Sequence, residues 1–243
     1  TSTGLETVSA SKGAAMVYRG NTNGFDALPA TVVHSFPGAS GSYQAFGGYP
    51  ATGDFDGDGH GDWVAGFGRG YPQNLVGKEP FIFSDVCAQK VASNPMDSAT
   101  AIFAGGGDAL PGDGETVPDF LYYSDLPATS RVMADYNGDG KLDLIQAASS
   151  YKGFTGGGVE FIQGRPPNPA GIEIICARDA FFSGDAATHY RLGYTLAALG
   201  DLDGDGCHEV AMAANNRPYA KLGTAYIIYG GGPLCSKPQA EVV

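Results

Sequence analysis

The sequence predicts an all-β fold built from repeated units. An acidic loop of nine residues occurs three times, and each copy is followed by an apolar run of strand length. The composition agrees, because 38 glycines and 15 prolines in 243 residues with few charges are typical of many short strands and tight turns. A chain of this length can bury a full core. We therefore expect residues 1–243 to form a single domain or a fragment of one.

The three loops share one spacing of oxygen-bearing side chains. Asp or Asn occupies positions 1, 3 and 5, glycine occupies positions 4 and 6, and an acid occupies position 9. These oxygen positions are Asp54, Asp56, Asp58 and Asp62; Asp135, Asn137, Asp139 and Asp143; and Asp201, Asp203, Asp205 and Glu209. Calcium takes six to eight oxygen ligands, and such a loop can wrap around it. We therefore predict three Ca²⁺ sites; the alternative is that the loops are acidic turns that stay hydrated.

The residues after each loop separate this pattern from an EF-hand. An EF-hand has a bidentate Glu at loop position 12 and continues into a helix, whereas position 12 here is Ala65, Gln146 and Met212. The runs after position 9 are short and soon interrupted by glycine or polar residues. Periodicity alone does not separate a short buried strand from a helix, but the repeated context favours strands.

The loops belong to a larger repeat. Its clearest copy covers residues 192–230, and its closing strand recurs at 13–20, 99–105, 158–164 and 223–230. We place a partial repeat at about 5–43 and further repeats at 44–118, 119–189 and 190–243. The glycine-rich stretch at 105–118 is expected to be an exposed loop between repeats.

These repeated segments resemble the FG-GAP repeat of integrin α-subunits. Phe46-Gly47 precedes the first loop, and Leu192-Gly193 precedes the third. The resemblance implies a β-propeller of four-stranded blades with calcium bound between the first and second strands of a blade. It also implies that His60, Lys141 and Cys207, at position 7, contribute only backbone carbonyls. No Phe-Gly pair is visible before Asp135, where residues 119–124 read Asp-Phe-Leu-Tyr-Tyr-Ser.

The number of blades has two interpretations. Four closing strands would satisfy a compact four-bladed ring, the smallest in the usual range of four to eight. Alternatively, the chain is about half of a larger ring, such as one of seven blades, completed by missing sequence or a second polypeptide. We favour the larger ring, because residues 4–11 look like the strand after a calcium loop that is itself absent.

The four cysteines bear on the cellular compartment in which the protein resides. Cys87, Cys176, Cys207 and Cys235 lack the C-x-x-C spacing of zinc or thioredoxin-like sites. Millimolar extracellular calcium would fill the calcium loops, and in that oxidising compartment two disulfides are the better interpretation of the four cysteines. Free buried thiols are the alternative. No apolar run is long enough to span a membrane. We expect a secreted or cell-surface protein, with the periplasm as a further option.

The net charge and the absence of several catalytic motifs narrow the range of possible functions. The formal net charge of −12 disfavours nucleic acid and anionic membranes as partners. The nucleophile-elbow, zinc-protease and nucleotide-binding motifs are absent, so we do not expect an enzyme. The first hypothesis is an extracellular calcium-binding module for adhesion or assembly, with a protein or glycan ligand. Alternatives are a lectin on the same fold and an accessory part of a secreted hydrolase. Tyr71 and Tyr151, in loop-like sequence, are the ligand-binding candidates.

Overall fold

The computed structural model describes residues 14–18, 20–25, 31–34, 47–67, 81–83, 98–106, 118–124, 126–150, 156–184, 191–215 and 223–230. Within these ranges the regular structure is entirely β, and no helix is present. The prediction of an all-β fold is confirmed. Tyr71, Tyr151, Cys87 and Cys235 lie outside the described residues, as does most of the predicted loop at 105–118.

Seventeen strands are present in the described residues. In chain order they are β1 Ala14–Val17, β2 Gly20–Asn21, β3 Gly24–Phe25, β4 Thr31–His34, β5 Gly48–Gly53, β6 Asp62–Phe67, β7 Phe81–Phe83, β8 Ser98–Phe103, β9 Phe120–Ser124, β10 Ser130–Ala134, β11 Asp143–Ala148, β12 Gly158–Ile162, β13 Ile172–Ile175, β14 Ala180–Ser183, β15 Leu192–Gly200, β16 Glu209–Ala214 and β17 Thr224–Ile228.

Three main sheets each begin with a hairpin closed by an acidic loop. Sheet 1 has the order β5-β6-β8-β9-β13-β7, sheet 2 the order β10-β11-β12-β14, and sheet 3 the order β15-β16-β17. The hairpins β5–β6, β10–β11 and β15–β16 are antiparallel. A separate N-terminal sheet pairs β1 with β4, beside a short β2–β3 hairpin. This series of sheets is consistent with a propeller-like fold.

Strand pairing crosses one of the expected repeat boundaries. Sheet 2 has the four antiparallel strands that the resemblance implies. However, β9 pairs with β8, so the first hydrogen-bonded unit extends past the boundary expected at residue 118. The strand that leads into the second loop is therefore β10, and residues 120–124 are instead the fourth strand of sheet 1.

Sheet 1 has six strands where four were expected. In sequence β13 lies between two strands of sheet 2, yet it pairs in parallel with β9 and with β7. Ile172, Ile174 and Ile175 of β13 are buried. An exposed sheet edge is a template for unwanted pairing, and β13 covers the edge that β9 would otherwise present.

The sheets pack face to face, and equivalent positions of their second strands form each interface. Val64, two residues after position 9 of the first loop, packs in one core cluster with Leu144, one residue after position 9 of the second. In the next cluster Ile145 of sheet 2 packs with Val210 and Met212 of sheet 3. We call the face that carries Val64 in sheet 1 and Ile145 in sheet 2 the forward face, and the opposite face the rear face. Each forward face is buried against the rear face of the following sheet, and each fully buried side chain contributes roughly 1.5–3 kcal/mol.

Candidate metal centre

The side chain at position 1 organises each loop. Asp54 Oδ1 accepts a hydrogen bond from Gly57 N–H at 2.7 Å, and its Oδ2 accepts one from Gly59 N–H at 2.9 Å. Asp135 and Asp201 accept the equivalent bonds from the glycines of their own loops. The glycines at positions 4 and 6 have φ between +74° and +91° in all three loops, a conformation that L side chains rarely adopt. The repeated glycines are therefore a requirement of the loop backbone.

Positions 3 and 5 form a series of short turns. Asp56 Oδ1 accepts from Asp58 N–H at 3.0 Å, and Asp58 Oδ1 accepts from His60 N–H at 2.7 Å. The same two bonds recur in the second and third loops. Such side-chain-to-backbone bonds are the usual role of Asp and Asn in turns. Each bond uses one oxygen of the side chain that accepts it.

In the first two loops the acid at position 9 ties the loop to the third strand of its sheet. Asp62 is buried, and its two oxygens accept from Phe55 N–H and Gly105 N–H, both at 2.6 Å. Asp143 likewise accepts from the backbone at position 2 and from Gly164 N–H, at 3.0 and 2.9 Å. Burial raises the pKa of Asp143 to about 7 and also raises the pKa of Asp62, against the opposing effect of these backbone bonds.

The third loop differs because its acid is a glutamate. Glu209 is fully buried, and its Oε2 accepts from Leu202 N–H at 2.5 Å. Its Oε1 has no hydrogen-bond partner among the described residues. A buried carboxylate oxygen without a partner is costly. A cation bound in the loop would provide the missing partner.

Two loops already bring three acids together. Carboxylate oxygens of Asp54, Asp56 and Asp58 lie within 4.8 Å of one another. The oxygens of Asp201, Asp203 and Glu209 satisfy the same limit in the third loop. Carboxylates at about 4–5 Å repel by roughly 3–4 kcal/mol per pair at an effective dielectric near 20. These donor sets contain only oxygen, so they suit a hard cation such as calcium better than a thiol- or imidazole-preferring metal.

The second loop carries less negative charge. Its position 3 is the neutral Asn137, and Lys141 Nζ lies 2.8 Å from Asp139 Oδ2. Burial raises the pKa of Asp139, but the hydrogen bonds from Lys141 outweigh it and lower the pKa overall. In this loop the position-7 side chain is therefore paired with an acid of its own loop.

Adjacent loops are joined to one another, which the sequence did not reveal. Asp54 C=O accepts from Leu142 N–H at 2.8 Å, and Asp135 C=O accepts from His208 N–H at 2.7 Å. Both bonds run from position 8 of one loop to position 1 of the preceding loop. The only signal in the sequence is the identical spacing of the loops, which implies that equivalent atoms of neighbouring loops can meet.

The chain is similar in sequence to integrin α proteins of two Caenorhabditis species. It is 30% identical over 191 residues to integrin alpha pat-2 of Caenorhabditis briggsae and, to the same extent, to integrin alpha pat-2 of Caenorhabditis elegans. This similarity indicates an integrin-α-like relationship. It covers 74% of this chain and 13% of the length of each relative. No family model matches the chain.

Two further predictions concern cysteines and the membrane. Of the four cysteines, Cys176 and Cys207 are described; both are buried, and neither is a free thiol. The described ranges also contain no helix with the length and apolar character needed to cross a membrane.

A buried polar cluster between sheets 1 and 2 was also missed by sequence reasoning. Arg131, on β10, donates from Nη2 to Thr100 Oγ1 at 3.0 Å and from Nε to Gln146 Oε1 at 3.3 Å. Glu160 accepts from Gln146 Nε2 at 3.1 Å and pairs with Arg178 at 2.8 Å. Burial lowers the pKa of Arg131 to about 10. The two cations and one anion are satisfied by neighbouring strands, so the cluster fixes the relative position of the two sheets.

Proposed function

We propose that this chain is a calcium-stabilised extracellular module that acts by binding a protein ligand, in adhesion or in assembly. The observation that carries the proposal is the hydrogen bonding common to the three loops, together with the convergence of acidic oxygens in the first and third. The similarity to integrin α supports the binding role and the extracellular setting.

Each loop would hold one Ca²⁺ through its side-chain oxygens and the backbone carbonyl at position 7. The ion supplies positive charge that offsets the repulsion among the carboxylates. The side chains at position 1 already hold two backbone N–H groups each, which pre-shapes the turn before any ion binds. A loop ordered in advance loses less conformational entropy when a ligand binds.

The extracellular setting rests on calcium and on cysteine chemistry. Loops of micromolar or weaker affinity would fill at extracellular calcium concentrations. We also propose that the four cysteines form two disulfides, as expected in an oxidising compartment; the observation that Cys176 and Cys207 are not free thiols supports this.

The test is thermal unfolding in millimolar calcium and after chelation with EGTA, together with calcium stoichiometry from native mass spectrometry. We expect three bound ions and a large fall in Tm on chelation, reversed by calcium and not by magnesium. Asp201→Asn should remove one ion. Glu173→Gln, which makes the same charge change outside the loops, should remove none. A chain that binds no calcium and keeps its Tm would contradict the metal proposal.

The binding role needs its own measurement. Immobilised protein should support the attachment of cultured cells in calcium, and attachment should fall when calcium is chelated. Calcium binding without any attachment would leave the metal sites in place and remove the adhesion role.

A further inference from the structure

The side chain at position 7 separates the second acidic loop from the other two. This position is His60 in the first loop, Lys141 in the second and Cys207 in the third, and only lysine among these residue types is fully charged at neutral pH. Lys141 engages both oxygens of Asp139, the acid at position 5: its backbone N–H donates to Oδ1 at 2.9 Å and its Nζ donates to Oδ2 at 2.8 Å. In the first loop Asp58 Oδ1 accepts from His60 N–H, and Asp58 Oδ2 accepts no hydrogen bond from the described residues. An ion that enters the second loop therefore meets an acid that already has a cationic partner.

The second loop also carries the smallest negative charge. Its position 3 is Asn137, where the other two loops have Asp56 and Asp203. The first and third loops each hold four acids, whereas the second holds three acids and one lysine. Calcium loops set their affinity through the number of charged ligands and the rigidity of the site. On charge alone, the second loop should attract Ca²⁺ the least.

The oxygens of the second loop are also the least prepared for an ion. Three acids of the first loop and three of the third bring oxygens within 4.8 Å of one another, but those at 135, 139 and 143 do not meet this limit, although all three are described. In addition, both oxygens of Asp143 accept from backbone N–H groups, whereas Glu209 Oε1 has no partner among the described residues. An ion in the third loop would satisfy a buried oxygen that lacks a partner. An ion in the second loop would share oxygens that are already bonded.

The second loop is hydrogen-bonded to both of the others. Leu142 N–H, in the second loop, donates to Asp54 C=O in the first, and Asp135 C=O, in the second loop, accepts from His208 N–H in the third. The loop least suited to calcium is therefore the one in contact with both neighbours. A change in its occupancy would affect both contacts.

We propose that Lys141 competes with calcium for Asp139, so that the first and third loops fill first and the second loop fills last. This inference rests on the proposed function, since it takes the three loops to be calcium sites. Coordination of an ion by Asp139 Oδ2 requires the Lys141 ammonium to move away. The side chains of the pair are 29% and 37% exposed, so water can solvate the released ammonium. The second loop would then respond to calcium in a concentration range where the other two are already occupied.

Native mass spectrometry at increasing free calcium tests the order of filling. We expect a two-ion species of the unsubstituted protein to accumulate before the three-ion species. Lys141→Met keeps an unbranched side chain and removes the charge. It should tighten binding of the third ion about three- to tenfold, because a weak, partly exposed ion pair is lost together with the repulsion between the ammonium and the incoming ion. The two-ion species should shrink accordingly.

Four further variants assign the effect to the second loop. Asp139→Asn should remove the weakly bound ion and leave the two tightly bound ions. Asn137→Asp adds a fourth acid to this loop and should tighten the third ion, as Lys141→Met does. Lys141→Arg keeps the positive charge and should keep the two-ion species. Arg165→Met makes the same charge change as Lys141→Met but outside the loops, where the guanidinium pairs with acids at 173 and 179, and it should also keep the two-ion species.

The outcomes separate this inference from the calcium proposal itself. Three ions that bind with equal affinity would overturn the order of filling and leave the calcium sites in place. The same holds if Lys141→Met does not change the affinity for the third ion, or if Asp139→Asn removes a tightly bound ion. An unsubstituted protein that binds no ion would overturn both proposals. Far-UV circular dichroism of each variant checks that the fold is retained.

Discussion

Asp135 and His208 exchange two hydrogen bonds between neighbouring acidic loops. His208 N–H donates to Asp135 C=O at 2.7 Å, and Asp135 N–H donates to His208 Nδ1 at 3.1 Å. Asp54 and Leu142 repeat the first of these bonds one unit earlier, at 2.8 Å. The loop that would hold one ion is therefore hydrogen-bonded to the backbone of the next loop. A substitution that disrupts this contact should destabilise both loops.

Gly138→Ala should destabilise the protein more than Gly140→Ala. Both glycines have positive φ, +74° and +87°, so each alanine carries a backbone cost of roughly 1–2 kcal/mol. The new Cβ at residue 138 would also lie 2.8 Å from Cys207 Sγ, whereas the one at residue 140 meets no atom within 4 Å. Urea unfolding in calcium should give the larger loss of unfolding free energy for Gly138→Ala. Equal losses would mean that contact between the loops contributes nothing.

The loops were predictable from sequence, whereas their neighbours were not. Acids at alternate positions and glycines at positive φ are local requirements, so the pattern that starts at Asp54 identifies the turn without knowledge of the fold. The partner of a strand is a non-local property. The alternating isoleucines of β13 indicate a strand, but nothing in residues 172–175 indicates parallel pairing with β9 of another unit. Arg131 was missed for the same reason, since its partners lie on other strands.

Asp119→Asn should flatten the pH dependence of stability. Burial raises the pKa of Asp119, although Ala104 N–H donates to its Oδ2 at 2.8 Å and opposes the shift. The folded state therefore holds this proton more tightly than the unfolded state does. The stabilisation from protonated Asp119 is fully present below the unfolded pKa and is lost as pH rises through the folded pKa. Asparagine keeps an acceptor for Ala104 and cannot ionise. Urea unfolding at pH values from 4 to 7 should show a smaller decline in unfolding free energy for the variant than for the unsubstituted protein. An unchanged decline would mean that Asp119 is not the source of this pH dependence.

Glu209→Gln should lower Tm in calcium but not in its absence. Without metal, the substitution removes a buried charge whose Oε1 has no partner among the described residues, so Tm in EGTA should rise or stay level. In calcium, the loss of an anionic ligand should reduce the stabilisation gained from the ion. Differential scanning calorimetry in both conditions measures the two effects. A fall in Tm of equal size in both would mean that Glu209 supports the fold through contacts unrelated to a cation.

Arg131→Met should cost about 1–3 kcal/mol of unfolding free energy, the range for leaving buried hydrogen-bond acceptors without a partner. The substitution keeps most of the side-chain volume but removes the hydrogen bonds that Arg131 donates to Thr100 Oγ1, Gln146 Oε1 and the backbone carbonyl of Gly48. Gln146 Oε1 then accepts only from the Thr100 hydroxyl. Arg165→Met is the matched control, because Arg165 forms partly exposed ion pairs at 3.6 and 3.7 Å and should cost no more than about 1 kcal/mol. Urea unfolding of both variants in calcium gives the comparison. Similar small losses would show that sheets 1 and 2 are held together by their apolar cluster alone, with the buried cluster around Arg131 contributing little to stability.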